Sequence, residues 1–153
     1  MSSRTSPSIA HEQHRLIHDI YVLLDDGDRR VLQSLNLSPL EFSVLAHLDV
    51  VQGRRLTDIG AELLCVKSTI TRLVDRLEAH GLVRRTPDPA DRRAQRLLLT
   101  PGGLALRDAA SQLHSAAVER RMSLLDQAEQ QQLRHLLAKL RTGLSDELAT
   151  AES

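Results

Sequence analysis

The stretch from Leu63 to Gly103, LLCVKSTITRLVDRLEAHGLVRRTPDPADRRAQRLLLTPGG, constrains the fold more than any other part of the chain. Within it the apolar period changes from helical to alternating around a single glycine, so a helix must hand over directly to a hairpin. Val66, Ile70, Leu73 and Leu77 recur at helical spacing and predict one buried stripe. Lys67, Ser68, Thr69, Thr71, Arg72 and Arg76 fall off that stripe and face outward. His80-Gly81 predicts the helix stop, because glycine accepts the left-handed backbone found just past a helix end. Leu82 to Thr86 then alternates as a half-buried strand does, and Arg96 to Thr100 is a second segment of strand length. The turn-rich residues Pro87 to Ala94 join them, with Arg92 and Arg93 at the tip.

These residue types suit nucleic acid. Hydroxyls near a helix start cap it or bond to base edges and phosphates. Arg72 and Arg76, four apart, stack along one helix face, and arginine is the usual bidentate partner of guanine in the major groove. An arginine hairpin suits the narrow minor groove, where negative potential is concentrated. Asp91 is placed to accept a hydrogen bond from a neighbouring arginine and hold it. Two plainer readings stand beside these. The helix face also carries Asp75 and Glu78, as an ordinary solvated face would, and the loop would serve equally as a charged, soluble hairpin.

The residues Ser68 to Glu78, Gly81 to Arg85, Asp91-Arg92-Arg93-Ala94 and Leu99-Thr100-Pro101-Gly102-Gly103 resemble the MarR family of bacterial regulators. The resemblance covers nearly the whole chain. It implies a mainly α fold with a small β-wing, that is, a winged helix-turn-helix with N- and C-terminal dimerisation helices. It implies an N-terminal dimerisation helix over residues 1–34 (1–7 a loose tail), a DNA-binding winged region over 35–100 and dimerisation helices over 101–153, forming one domain overall. It further implies a homodimer on a pseudo-palindromic double-stranded operator, most often as a repressor, with DNA affinity modulated by a small effector. Arg93 matches the family's wing arginine in its Asp-x-Arg spacing, with Arg92 nearer the phosphates and Asp91 bracing.

Composition is consistent with this. The 153 residues are about one domain in length, and with 1% aromatic residues the core must be aliphatic, which favours packed helices. The net charge is +0, yet Arg54 to Arg96 holds ten basic residues against six acids, a local surplus of four. A basic middle between acidic flanks suits a module in which only the centre meets phosphates. Met1 to Ser8 has no long apolar run, so neither a signal peptide nor a membrane span is expected and the protein reads as cytoplasmic. No triad, metal motif or phosphate loop is present, so neither an enzyme nor a cofactor is expected.

Further elements follow from local signals. A long helix is expected from about Ser8, with a weak point at Asp25-Asp26-Gly27-Asp28, where glycine costs roughly 1 kcal/mol of propensity. Ser38-Pro39-Leu40-Glu41 predicts a capped helix start. Gln52 to Arg55 predicts a break with a very short strand, and Thr57 a cap for a helix ending at Leu63 or Leu64. Thr100-Pro101 predicts the start of a long helix to about Leu125, with Leu104, Leu113, Val118 and Met122 buried. Asp126 and Glu129 predict another capping box, and Leu133, Leu136, Leu137, Leu140, Leu144 and Leu148 an apolar stripe on the last helix. That stripe packs either on the chain's own first helix or on a second copy; the second reading is preferred, since both chain ends lie outside the DNA module.

The sensor is less legible. The resemblance places an effector crevice between the dimer helices and the winged module, with His14, Arg15, His18, Tyr21 and His47 as candidates beside His11 and His114. His11, His14 and His18 share a helix face, but no carboxylate or cysteine at a convincing spacing completes a metal site. Cys65 is the only cysteine and precedes the helix at Lys67. It reads as a small buried hydrophobe or as a redox-responsive thiol near a helix start. The family's peroxide sensors carry their cysteine in the first helix, where this chain has none. A winged helix used only for protein contact is the other alternative; the outward arginines argue against it.

Overall fold

The computed structural model describes residues 8–151. The expected loose tail at 1–7 lies outside them. The first helix, α1 (Ile9–Leu32), is unbroken through Gly27. Ion pairs one turn apart staple the weak point: Arg29 reaches Asp25 at 2.7 Å and Arg30 reaches Asp26 at 2.8 Å. A turn of 3₁₀ helix follows, and Asn36 in the left-handed region ends it.

Helix α2 (Pro39–Ala46) starts on the expected capping box. The Glu41 amide donates to Ser38 Oγ at 3.2 Å, and the Ser38 amide donates to Glu41 Oε2 at 2.8 Å. The two-residue strand β1 (Arg54–Arg55) runs directly into α3 (Leu56–Glu62), whose N-cap is Arg55. Thr57 therefore sits inside the helix and is no cap, a correction with a simple cause: pairing of β1 with the sheet sets the N-cap at Arg55, two residues before the threonine.

Helix α4 (Lys67–Ala79) buries Ile70, Val74 and Leu77, with Leu73 half-buried. Val66, expected in the stripe, is 68% exposed because it is the N-cap residue, in extended backbone ahead of the first turn. The helix ends as expected. Gly81 has φ +68, its amide donates to Glu78 O at 2.9 Å, and the Leu82 amide donates to Leu77 O at 3.0 Å. That pair of bonds is a Schellman motif.

Strands β2 (Val83–Pro87) and β3 (Gln95–Leu99) pair antiparallel from Val83↔Leu99 to Pro87↔Gln95. β1 adds to the other side of β3, giving the order β1-β3-β2. Helix α5 (Pro101–Met122) is capped by Thr100, whose Oγ1 accepts from the Gly103 amide at 3.0 Å and donates to Gly81 O at 2.6 Å. Gly103 is needed there because a Cβ would lie 1.9 Å from Leu82 O, so the helix and the start of β2 meet backbone to backbone. Helix α6 (Gln127–Ala151) begins on the expected reciprocal bonds between Asp126 and Glu129, each 2.9 Å.

The chain divides into two compact units, residues to Ser115 and residues from Ala116. In the first, Leu32, Leu45, Ile59, Ile70, Val74, Leu77, Val83, Leu97 and Leu99 form one aliphatic core. Arg107 donates to Leu48 O at 3.0 Å and ties α5 to the end of α2. In the second, α6 buries none of its residues, and the leucine stripe from Leu136 to Leu148 is exposed. On α5, Leu113, Val118 and Met122 are exposed rather than buried, because the residues facing inward are the small ones, Gly103, Ala110 and Ala117. Among the described residues, no helix is long and apolar enough to cross a membrane.

Candidate nucleic-acid interface

The site is built from α4 and the hairpin that follows it, held at fixed register by the Schellman turn and the sheet. On α4, Lys67, Ser68, Arg72 and Arg76 are exposed, while Thr69 and Thr71 are half-buried. The Thr71 hydroxyl donates to Lys67 O at 2.8 Å, one turn back.

The hairpin tip hangs on a residue that sequence reasoning passed over, Asp88. Its carboxylate is buried, and Oδ2 accepts from Arg55 Nε at 2.7 Å and from Arg96 Nε at 2.8 Å. Oδ1 accepts from the amides of Ala90 at 2.8 Å and Asp91 at 3.2 Å. The Asp88 amide donates to Ala94 O at 3.0 Å, closing the base of the loop. Hydrogen bonds from Arg55 and then Arg96, with the Ala90 amide, hold the Asp88 carboxyl well below the usual carboxylate range. Asp91 does brace Arg93, but through the main chain: the Arg93 amide donates to Asp91 Oδ1 at 3.0 Å. The two guanidinium groups of Arg92 and Arg93 are left exposed at the tip. One local signal for Asp88 was present: aspartate between two prolines favours a turn in which its side chain takes the amide two residues on. Nothing in the sequence marks Arg55, at a separation of 33 residues, as its partner.

The ion pairs sort the basic residues into two groups. Arg54 pairs with Glu62, Arg55 and Arg96 with Asp88, and Arg85 with both Asp75 and Glu78. Arg76 Nε lies 3.2 Å from Glu41 Oε1, the same buried carboxylate that caps α2. Among the described residues, Lys67, Arg72, Arg84, Arg92 and Arg93 have no carboxylate within ion-pair distance. So the acids that argued for a plain solvated face are already occupied by Arg85, and within Arg54 to Arg96 the unpaired cations lie on α4 and along the wing. Arg84, exposed on β2, was not singled out from sequence.

The effector candidates do not form one cluster. His14, Arg15, His18 and Tyr21 are exposed along α1. His47 closes α2, with Nδ1 donating to Ser43 O at 2.6 Å and Nε2 lying 3.5 Å from Glu62 Oε2. His11 Nδ1 lies 2.6 Å from Ser8 Oγ, and His114 packs on Phe42 with Nε2 3.4 Å from Asp28. Among the described residues, no three His, Cys, Asp or Glu side chains are arranged to hold a metal ion. Cys65 is half-buried, with Sγ 3.4 Å from Leu63 O, and lines a small cavity with Leu56, Gly60, Lys67 and Ile70.

Comparison with known proteins agrees with this architecture. Residues 37–94 match the MarR family model. The chain is 36% identical over 102 residues to the HTH-type transcriptional regulator YkoM of Bacillus subtilis, covering 67% of this chain and 66% of YkoM. It is 30% identical over 99 residues to the multiple antibiotic resistance protein MarR of Escherichia coli, covering 65% of this chain and 69% of that protein. Among solved structures it is similar to the transcriptional repressor CouR bound to a 23-mer DNA duplex, at 28% identity and a TM-score of 0.78, covering 92% of this chain and 99% of that one. Helix order, wing and sequence together lead to one assignment: the chain belongs to the MarR family of DNA-binding transcriptional regulators.

Proposed function

We propose that the chain is a homodimeric, sequence-specific repressor of double-stranded DNA carrying a pseudo-palindromic operator. The observation that carries this reading is the sorting of charge in the basic middle of the chain: between Arg54 and Arg96, the cations left without carboxylates lie on α4 and the wing. In this reading residues 35–100 meet DNA, and residues 1–34 and 101–153 join two copies. Two copies of α4 would enter successive major grooves, ~34–36 Å apart. Arg72, with Lys67, Ser68, Thr69 and Thr71, reads or positions there. Arg76, held through Nε by Glu41, offers its remaining edge to a phosphate. Arg93 enters the flanking minor groove, Arg92 stays nearer the phosphates, and Asp91 fixes the main chain between them.

The exposed apolar residues of α1 (Leu16, Ile17, Ile20) and the leucines of α6 support the second copy, since a lone chain leaves them in water. Repression is the role named for CouR. An effector entering beside α1 would meet His14, Arg15, His18 and Tyr21, with His47 at the end of α2. The test is selection of duplexes from a random-sequence pool by the full chain, followed by titration at stated salt and by light scattering. A palindromic motif bound by a dimer is expected. A monomer, or binding without sequence preference, would overturn the proposal.

A further inference from the structure

On α4, Lys67, Thr71, Asp75 and Glu78 follow at intervals of four, four and three, which aligns them along one stripe beside Arg72. The stripe thus carries two negative charges on the helix that the proposed function lays against a polyanion. Arg85 answers both. From β2 its Nη1 lies 2.5 Å from Glu78 Oε2, its Nη2 pairs with Asp75, and its amide lies 3.4 Å from Glu78 Oε1. Its main chain is fixed opposite Leu97 in the sheet, and its side chain is only 24% exposed. The adjacent Arg84 is exposed and pairs with no carboxylate among the described residues. Two neighbouring arginines on one strand therefore have different jobs.

We propose that Arg85 is a positioning residue for DNA binding that acts by masking charge: it offsets one of the two negative charges of Asp75 and Glu78 so that the stripe can approach phosphates, without contacting the duplex itself. The inference rests on the DNA-binding reading above. Its physical basis is that two carboxylates brought near phosphates without a counter-charge repel them, whereas a guanidinium shared between them halves the net negative charge at short range.

The alternatives are that Arg85 only staples helix to wing, or that it contacts a phosphate. A set of variants in the full chain separates them, using a duplex selected by the wild-type protein. Arg85→Gln keeps an unbranched polar side chain with an amide donor and loses the charge. It is expected to bind about tenfold more weakly near 0.1 M salt, with the deficit shrinking as salt rises. Adding Asp75→Asn and Glu78→Gln to that variant is expected to restore at least wild-type affinity, since the charges needing the mask are gone. Asp75→Asn with Glu78→Gln alone is expected to tighten binding severalfold. This arm keeps Arg85 and serves if Arg85→Gln fails to fold. A triple variant as weak as Arg85→Gln, an unchanged Arg85→Gln, or a weakened double variant would each overturn the mask. A wild-type chain that enriches no duplex would instead remove the DNA-binding reading, and the mask with it.

Discussion

The unit up to Ser115 and the helix α6 are built on opposite principles. In the first, aliphatic side chains from α1, α2, α3, α4, α5 and strands β2 and β3 share one core, and the cations between Arg54 and Arg96 are either paired with carboxylates or lie on α4 and the wing. Helix α6 has no buried residue, yet carries Leu136, Leu137, Leu140, Leu144 and Leu148 in the open. Apart from exposed apolar residues, chiefly those of α1, the first region buries its apolar side chains within itself; α6 does not. An apolar stripe kept in water over several turns is costly, so its natural explanation is a surface that covers it, and closed dimers are the commonest solution.

The largest effect should come from attacking that difference directly. Leu137→Asp with Leu144→Asp is expected to abolish self-association and to weaken DNA binding on the order of a hundredfold, because two linked half-sites become two separate ones. The winged region should remain folded. Sedimentation together with DNA titration checks this; a variant that still associates would leave α6 without its assigned role.

Next are the exposed cations. Arg93→Ala should lower operator affinity with little change in thermal stability, since its guanidinium pairs with no carboxylate. Arg72→Ala should lose ~1–3 kcal/mol for its preferred base and less for the others. A uniform loss across sequences would make Arg72 a phosphate contact.

Asp88→Asn probes the inside of the wing. It leaves Arg55 and Arg96 without their shared carboxylate and is expected to lower Tm by roughly 5 °C, with weaker DNA binding as the tip loosens. The pH dependence follows from the same group. Asp88 titrates below its unfolded value near 3.9, so its contribution is complete above that pH and is lost as the pH falls through the folded value. Asp49, held low chiefly by the Val51 amide, and Glu62, held low by Arg54, act in the same direction. Acid unfolding should therefore be less steep in Asp88→Asn than in wild type. The smallest effect belongs to Cys65→Ser, which should leave DNA affinity within roughly twofold. A variant that lost a peroxide response shown by the wild type would restore the redox reading of that thiol.

Much of the architecture could be read directly from residue order. The glycine stop at Gly81, the capping boxes at Ser38 and Asp126, and the change of apolar period between α4 and β2 are interactions among near neighbours, so their signals lie within a few residues. The misreadings came where a distant element intervened. Thr57 was displaced from its capping role by pairing of β1 with β3, and Leu113, Val118 and Met122 are exposed because alanines and a glycine face inward on α5.

The candidate site divides along the same line. That a helix face and a hairpin tip carry arginines is visible in one dimension, as is the choice of Arg72 and Arg93. Which arginines are already occupied is not, because an ion pair depends on distance through space. Arg55 meets Asp88 across 33 residues, and Arg85 reaches back ten residues to Asp75. Local propensity acts along the chain and wrote the elements and their order into the amino acids. Charge neutralisation acts across the folded surface, so only assembly of helix, strand and turn separates the cations that hold the wing together from those left to meet a partner.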